Sequence, residues 1–156
     1  MPSDILPEGF CSVEEALEEL RAGRLIVLVD DPNRENEGDL VLAADMAKPE
    51  TINFMMRQAC GLVCLAMDGA ICDRLGLDLV PASPADTQTT PFTPCIDARF
   101  GITTGISAAD RARTVQVAID ERSKPSDLVR GKGHVPGLRA RAVSYTHLTL
   151  PTICSV

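Results

Sequence analysis

Aromatic residues make up only 3% of this 156-residue chain, and tryptophan is absent. Any core must therefore be packed from Val, Ile, Leu, Met and Ala. Clustered positive charge is lacking too: the formal net charge is -7 and no basic run occurs. Nucleic-acid phosphates are gripped by such runs, so a nucleic-acid partner is not expected. A phosphorylated ligand would have to be small and locally neutralised. The six cysteines, at positions 11, 60, 64, 72, 95 and 154, show neither CxxC spacing nor histidines at zinc-site distances, which argues against a zinc centre. No apolar run approaches the roughly 18 residues of a membrane span, and the N-terminus has no basic segment leading into an apolar one. These absences predict no membrane attachment and a cytoplasmic protein with reduced thiols. Internal repeats and low-complexity tracts are missing as well.

What is present is an ordinary globular mixture, 45% hydrophobic and 24% charged. Its length suits one domain that buries roughly 70% of the surface of the unfolded chain. The unusual stretch is residues 30–39. Asp30, Asp31, Glu35, Glu37 and Asp39 crowd around Arg34 there, between two apolar runs, 25–29 and 40–44, that read as strands. Carboxylates this close raise one another's pKa unless a cation compensates, so the loop binds a metal, works as an acid/base device, or splays into water. A charge run is usually a solvated turn. The central Arg34, the Gly38 before the last Asp and the flanking strands argue against that here. A calcium loop also fits poorly, because the sixth place from Asp31 is Asn36 rather than Gly and the closing Glu is missing. Magnesium ranks well above calcium.

Around this loop the chain reads as alternating helices and strands. Ser12 and Glu15 form a capping box, and Val13, Ala16, Leu17 and Leu20 follow at helical spacing until Gly23. The strand at 25–29 is apolar throughout, which predicts burial on both faces. Pro49 opens a helix with Ile52, Met55, Met56 and Ala59 on one side and Gly61 as its stop. A strand at 62–67, a short helix at 71–75 and a long Pro/Ser/Thr-rich loop at 79–94 come next. The strand at 92–98 contains Pro94, which predicts a sheet edge. Residues 101–107 then lead into a helix with Ala108, Ala112, Val115 and Ile119 on one face, capped by Ser107 and Asp110.

Three smaller features carry chemistry. The glycine-flanked Thr103-Thr104 turn enters a helix N-terminus, where backbone N–H groups, hydroxyls and the helix dipole suit an anion, although most such residues are merely caps. His134, one of two histidines, sits in a Gly133-His134-Val135-Pro136 loop. A lone histidine is more often structural, but one in a loop with room beside it can act as general acid/base near neutral pH. Cys64, inside an apolar strand, reads as an inert core thiol.

Taken as a set, these residues resemble a known family. Asp30-Asp31 with residues 34–39 (Arg-Glu-Asn-Glu-Gly-Asp), residues 61–64 (Gly-Leu-Val-Cys), residues 101–111 (Gly-Ile-Thr-Thr-Gly-Ile-Ser-Ala-Ala-Asp-Arg) and residues 124–128 (Lys-Pro-Ser-Asp-Leu) are similar, in order, to 3,4-dihydroxy-2-butanone 4-phosphate synthase of riboflavin biosynthesis. The resemblance spans residues 12–141. It implies an α+β fold with a mixed β-sheet flanked by helices, and a homodimer. The implied activity is a lyase that converts D-ribulose 5-phosphate into 3,4-dihydroxy-2-butanone 4-phosphate and formate, with Mg2+ or Mn2+ as cofactor. Position by position, it implies Glu35 as metal ligand and substrate contact, Arg34 and Asp39 as substrate contacts, and Glu37 and His134 as catalytic groups. Thr104 and Ser107 would lie beside the substrate.

The chain departs from the family pattern in two places. Residues 130–137 carry an extra residue before His134 and lack the Phe that the family has after it. The family's later Gly-His-Thr-Glu block and a further essential Glu do not occur. The resemblance therefore implies a domain at 1–141, incomplete at its C-terminal end, and a tail at 142–156 foreign to the fold. Within that tail Leu148, Leu150 and Ile153 suit an exposed sheet edge, and His147, without the flanking Gly and Thr-Glu, reads as coincidental rather than as a ligand. Two other readings stand beside the lyase: a folded, dimerising but inactive module, and an unrelated divalent-metal-binding domain.

Overall fold

The computed structural model describes residues 9–30, 33, 36–81, 90–140 and 153–155. Its helices are α1 (Val13–Arg21), α2 (Pro49–Gln58), α3 (Gly69–Leu75) and α4 (Ala108–Ile119). The strands are β1 (Ile26–Val29), β2 (Gly38–Ala43), β3 (Cys64–Met67), β4 (Phe92–Ala98), β5 (Leu128–Arg130), β6 (Val135–Arg139) and β7 (Ile153–Ser155). They form one sheet in the order β1-β2-β7-β3-β6-β4-β5. The β3–β6 pair is parallel, and the others are antiparallel. The expected α+β fold, a mixed sheet with helices against it, is what the chain adopts.

Local sequence explains most of the boundaries. At α1 both arms of the capping box close, Ser12 Oγ accepting from the Glu15 amide at 3.2 Å and Glu15 Oε2 accepting from the Ser12 amide at 2.8 Å. Asp68 caps α3 by accepting from the Ile71 amide at 2.7 Å, and left-handed Gly76 closes it. Helix α2 starts at Pro49 as its sequence predicts. Its left-handed terminator, however, is Cys60, at φ 56°, rather than Gly61.

Two strands lie where the sequence misleads. Apolar β1 was expected to be buried on both faces, yet Val27 and Leu28 are 65% and 58% exposed. Among the described residues it is an edge strand paired with β2 alone, which leaves Val27, Leu28 and Val29 exposed. Conversely, β4 lies inside the sheet between β6 and β5 despite Pro94. The register slips between Thr93 and Ile96, and the bulge accommodates the missing proline N–H. The short β7 also takes an inner position, between β2 and β3, rather than an edge.

The core is aliphatic, as composition requires. Leu42, Ile52, Met55, Leu65, Ile96 and Val115 are each fully buried, joining β2, α2, β3, β4 and α4 in one cluster. Gln116 of α4 adds a polar clamp, donating to the carbonyls of Ala44 and Ala47 at 3.1 and 3.2 Å and so fixing the chain that leaves β2. Strand directions then decide where loops gather. Since β2, β3 and β6 run one way and β1 and β4 the other, one end of the sheet collects the end of β1, the end of β4 and the starts of β2, β3 and β6. The acidic loop, Cys64, the Thr-Thr turn and His134 all belong to that end.

Candidate active site

Strand β4 supplies the anchor. Asp97 sits between the fully buried Ile96 and Ala98 and is only 6% exposed itself. A buried carboxylate must be fully hydrogen-bonded to persist. Among the described residues Asp97 meets that need through His134: Oδ1 accepts from the His134 amide at 3.0 Å, and Oδ2 lies 2.8 Å from the ring Nδ1. The ring side chain is 34% exposed.

Arg111, in the first turn of α4, donates to the His134 carbonyl at 2.6 Å and to the Ile106 carbonyl at 3.0 Å. It ties the histidine loop to the turn at 101–107. Two glycines give clearance for this packing. A Cβ on Gly105 (φ 92°) would collide with Asp97 Oδ2 and His134 Nδ1, and one on Gly133 would collide with the Ile96 carbonyl.

The Thr-Thr turn is held from within. Asp110 accepts from the Thr103 amide at 3.0 Å, the Thr103 hydroxyl at 2.8 Å and the Gly105 amide at 3.0 Å. These bonds, the Thr103 amide foremost, hold its carboxyl down at about 2. Of the two residues expected to cap α4, Ser107 does so, accepting from the Asp110 amide at 3.1 Å, while the Asp110 carboxylate serves the turn. Two of the N–H groups that suggested an anion site thus already serve an internal carboxylate. Thr104 and Ser107 remain on the exposed surface of the turn.

On the opposite flank, the acidic loop joins β1 to β2. Asp30 closes it, its Oδ1 accepting from the Glu37 amide at 2.9 Å and its own amide donating to the Glu37 carbonyl at 3.3 Å. Asn36 takes a left-handed φ of 53°, which an Asn tolerates better than most residues. Glu37 and Asp39 are exposed. Arg34 and Glu35 lie outside the described residues, as does His147. Among the described residues no three His, Cys, Asp or Glu side chains cluster closely enough to hold a metal.

The two flanks are not adjacent. Strands β2 and β6 are three inter-strand steps apart, about 14 Å, with β7 and β3 between them. Cys64 lies between them, 7% exposed. Burial first, and then Cys95 and Asp39, push its thiol up to about 11. It is therefore the inert thiol that its place in the sequence suggests. Sequence reasoning missed Asp97 and Arg111. The one signal for Asp97 was a lone acid inside an otherwise apolar strand end.

Comparison with known proteins decides the family. The family profile described as 3,4-dihydroxy-2-butanone 4-phosphate synthase matches residues 14–146. The chain belongs to the 3,4-dihydroxy-2-butanone 4-phosphate synthase family. It is 50% identical over 134 residues to riboflavin biosynthesis protein RibBA of Synechocystis sp., covering 85% of this chain and 24% of that protein. To the 3,4-dihydroxy-2-butanone 4-phosphate synthase of Pseudomonas syringae pv. tomato it is 49% identical over 133 residues, covering 85% and 36%. The chain thus spans 24% and 36% of the length of these two curated relatives. A crystal structure of 3,4-dihydroxy-2-butanone 4-phosphate synthase in complex with two magnesium ions superposes with a TM-score of 0.80 at 36% identity, covering 85% of this chain and 62% of that one. Among the described residues, no helix of this synthase-family chain is long and apolar enough to cross a membrane.

Proposed function

We propose that this chain performs the family's lyase reaction, turning D-ribulose 5-phosphate into 3,4-dihydroxy-2-butanone 4-phosphate and formate. The observation that carries the reading is convergence. The family's acidic loop, Thr-Thr turn and histidine come from separate stretches of sequence and lie at the same end of the sheet. The reaction needs a proton taken from beside a ketone, followed by dehydration, skeletal migration and release of formate, each with its own proton traffic. His134, held by Asp97 and with its ring part-exposed, is the proton-transfer group. Glu37 is the second, on the opposite flank. Asp39 and Arg34 contact the substrate, and Thr104 and Ser107 offer hydroxyls to its phosphate end.

The donor set on the acidic loop fits a hard divalent cation, because Glu35, Glu37 and Asp39 offer carboxylate oxygens and no thiol or imidazole. Glu35 would hold Mg2+ or Mn2+. When bound, such an ion stabilises negative charge that develops on substrate oxygens. The apolar edge strand β1, with Val27, Leu28 and Val29 exposed, supports assembly of the chain as a homodimer, since an uncovered apolar edge invites pairing. A small phosphorylated substrate fits a cytoplasmic enzyme, and the lack of basic runs fits one without a nucleic-acid partner.

The deciding experiment supplies the full chain with D-ribulose 5-phosphate and Mg2+ and measures formate. Formate is expected, and it should vanish in His134→Ala and Glu37→Gln. A folded chain that binds Mg2+ yet releases no formate would instead support the inactive-module reading.

A further inference from the structure

Asp97 touches His134 twice, and the two contacts do different things. The amide contact at 3.0 Å fixes the backbone from which the ring projects. The contact at 2.8 Å between Oδ2 and Nδ1 constrains the ring itself. An ionised carboxylate can only accept hydrogen bonds, so the proton in that contact must sit on Nδ1. The neutral ring then carries its lone pair on Nε2, the tautomer that imidazole in water disfavours. The other contacts remove alternatives: Arg111 holds the carbonyl of His134, and Gly105 and Gly133 let the loop press against β4 without a side chain between. A ring held at one nitrogen and at both ends of its own peptide has little freedom to flip.

We infer that Asp97 is a positioning residue, which holds His134 in the Nδ1–H tautomer and presents Nε2 as the one atom of the ring that exchanges protons with the substrate. Gly105 is the clearance that lets the carboxylate, the ring and the Thr-Thr turn meet. An Asp present only to hold the loop down would need the amide contact and would leave the ring tautomer free. The catalytic part of this inference rests on the proposed lyase reaction; the tautomer part does not.

The test exploits the two histidines of the chain. The 156-residue chain is labelled with 15N in its imidazoles, and His147→Ala assigns the remaining signals to His134. Long-range proton–nitrogen correlation above the imidazole titration range should show Nδ1 protonated and Nε2 bare. Asp97→Asn should shift the ring towards the Nε2–H form and lower formate release on the order of 100-fold, mostly in kcat with KM nearly unchanged. Nε2–H in the unsubstituted protein would overturn the inference outright, and this holds even if Asp97→Asn does not fold. A folded Asp97→Asn protein that keeps both the Nδ1–H form and the parental rate would overturn it as well. The expected tautomer in a chain that makes no formate would sustain the positioning role and remove the lyase reading, so the two failures are distinguishable.

Discussion

At His134 the backbone amide, the backbone carbonyl and the ring are each gripped by a partner from another element, whereas across the sheet Glu37, just before β2, and Asp39, near the start of its pairing with β1, are exposed. The histidine flank is built from buried carboxylates: Asp97 under the ring and Asp110 under the Thr-Thr turn. Each is satisfied by groups far from it in sequence or by the backbone of its own turn. On the acidic flank Glu37 and Asp39 are exposed, and charge at a surface costs little to maintain. One flank holds its charges inside the fold, and the other holds them at the surface.

Substitutions should separate the two flanks. The largest effect is expected on turnover: His134→Ala and Glu37→Gln should each lower formate release by about 100-fold or more. Only the first should also lower thermal stability, because exposed side chains usually change stability by less than about 0.5 kcal/mol. A Glu37→Gln protein that melts well below the parent would contradict the comparison. Next comes Gly105→Ala, which adds a clash with Asp97 and His134 to a φ of 92°. Strained backbone of this kind costs roughly 1–3 kcal/mol, readable as a lower midpoint in urea. On the acidic flank, Glu35→Gln should weaken Mg2+ binding at least roughly 10-fold by calorimetry, as expected when a carboxylate ligand is lost. Unchanged affinity would remove Glu35 from the metal site.

Smaller effects sharpen the same contrast. Asp110 and Asp120 both have carboxyls lowered from 3.8 to about 2, the first by the Thr103 amide and the second by Arg122. Their contribution to stability is present above about pH 3.8 and is lost as the pH falls towards 2. Thermal melts between pH 5 and pH 2 should fall over that window, and Asp110→Asn should flatten part of the fall while lowering the melt at neutral pH. Thiol labelling makes the smallest difference. Cys60, which is exposed, should react with iodoacetamide near neutral pH, while Cys64, buried and raised to about 11, should stay unlabelled until the protein unfolds.

Local chemistry was legible where a few neighbouring residues carry the instruction. Ser12 with Glu15, Pro49, Gly76 and Ser107 each marked a helix end that the structure places there or within a residue or two. Failures came where the deciding partner was distant. Nothing within residues 25–29 tells an edge strand from a central one, because the neighbour across the hydrogen bonds sets that. Nor does Pro94 disclose that a bulge will absorb it. Glu37, Asp39, Thr104, Ser107 and His134 could be singled out from spacing and resemblance, since each lies in a stretch whose composition is odd for a mere connection.

From its sequence alone this chain determined an aliphatic core, its helix caps, an acidic loop between two strands and the family to which those blocks belong. All of these depend on residue type and short-range order. Tertiary structure alone decided that Asp97 lies beneath His134, 37 residues further along the chain, that Arg111 joins two loops, and that Asp110 occupies the turn an outside anion might have used. Such pairings arise from strand order and direction, which follow from how apolar faces across the whole chain find mutual burial, and no local stretch records them.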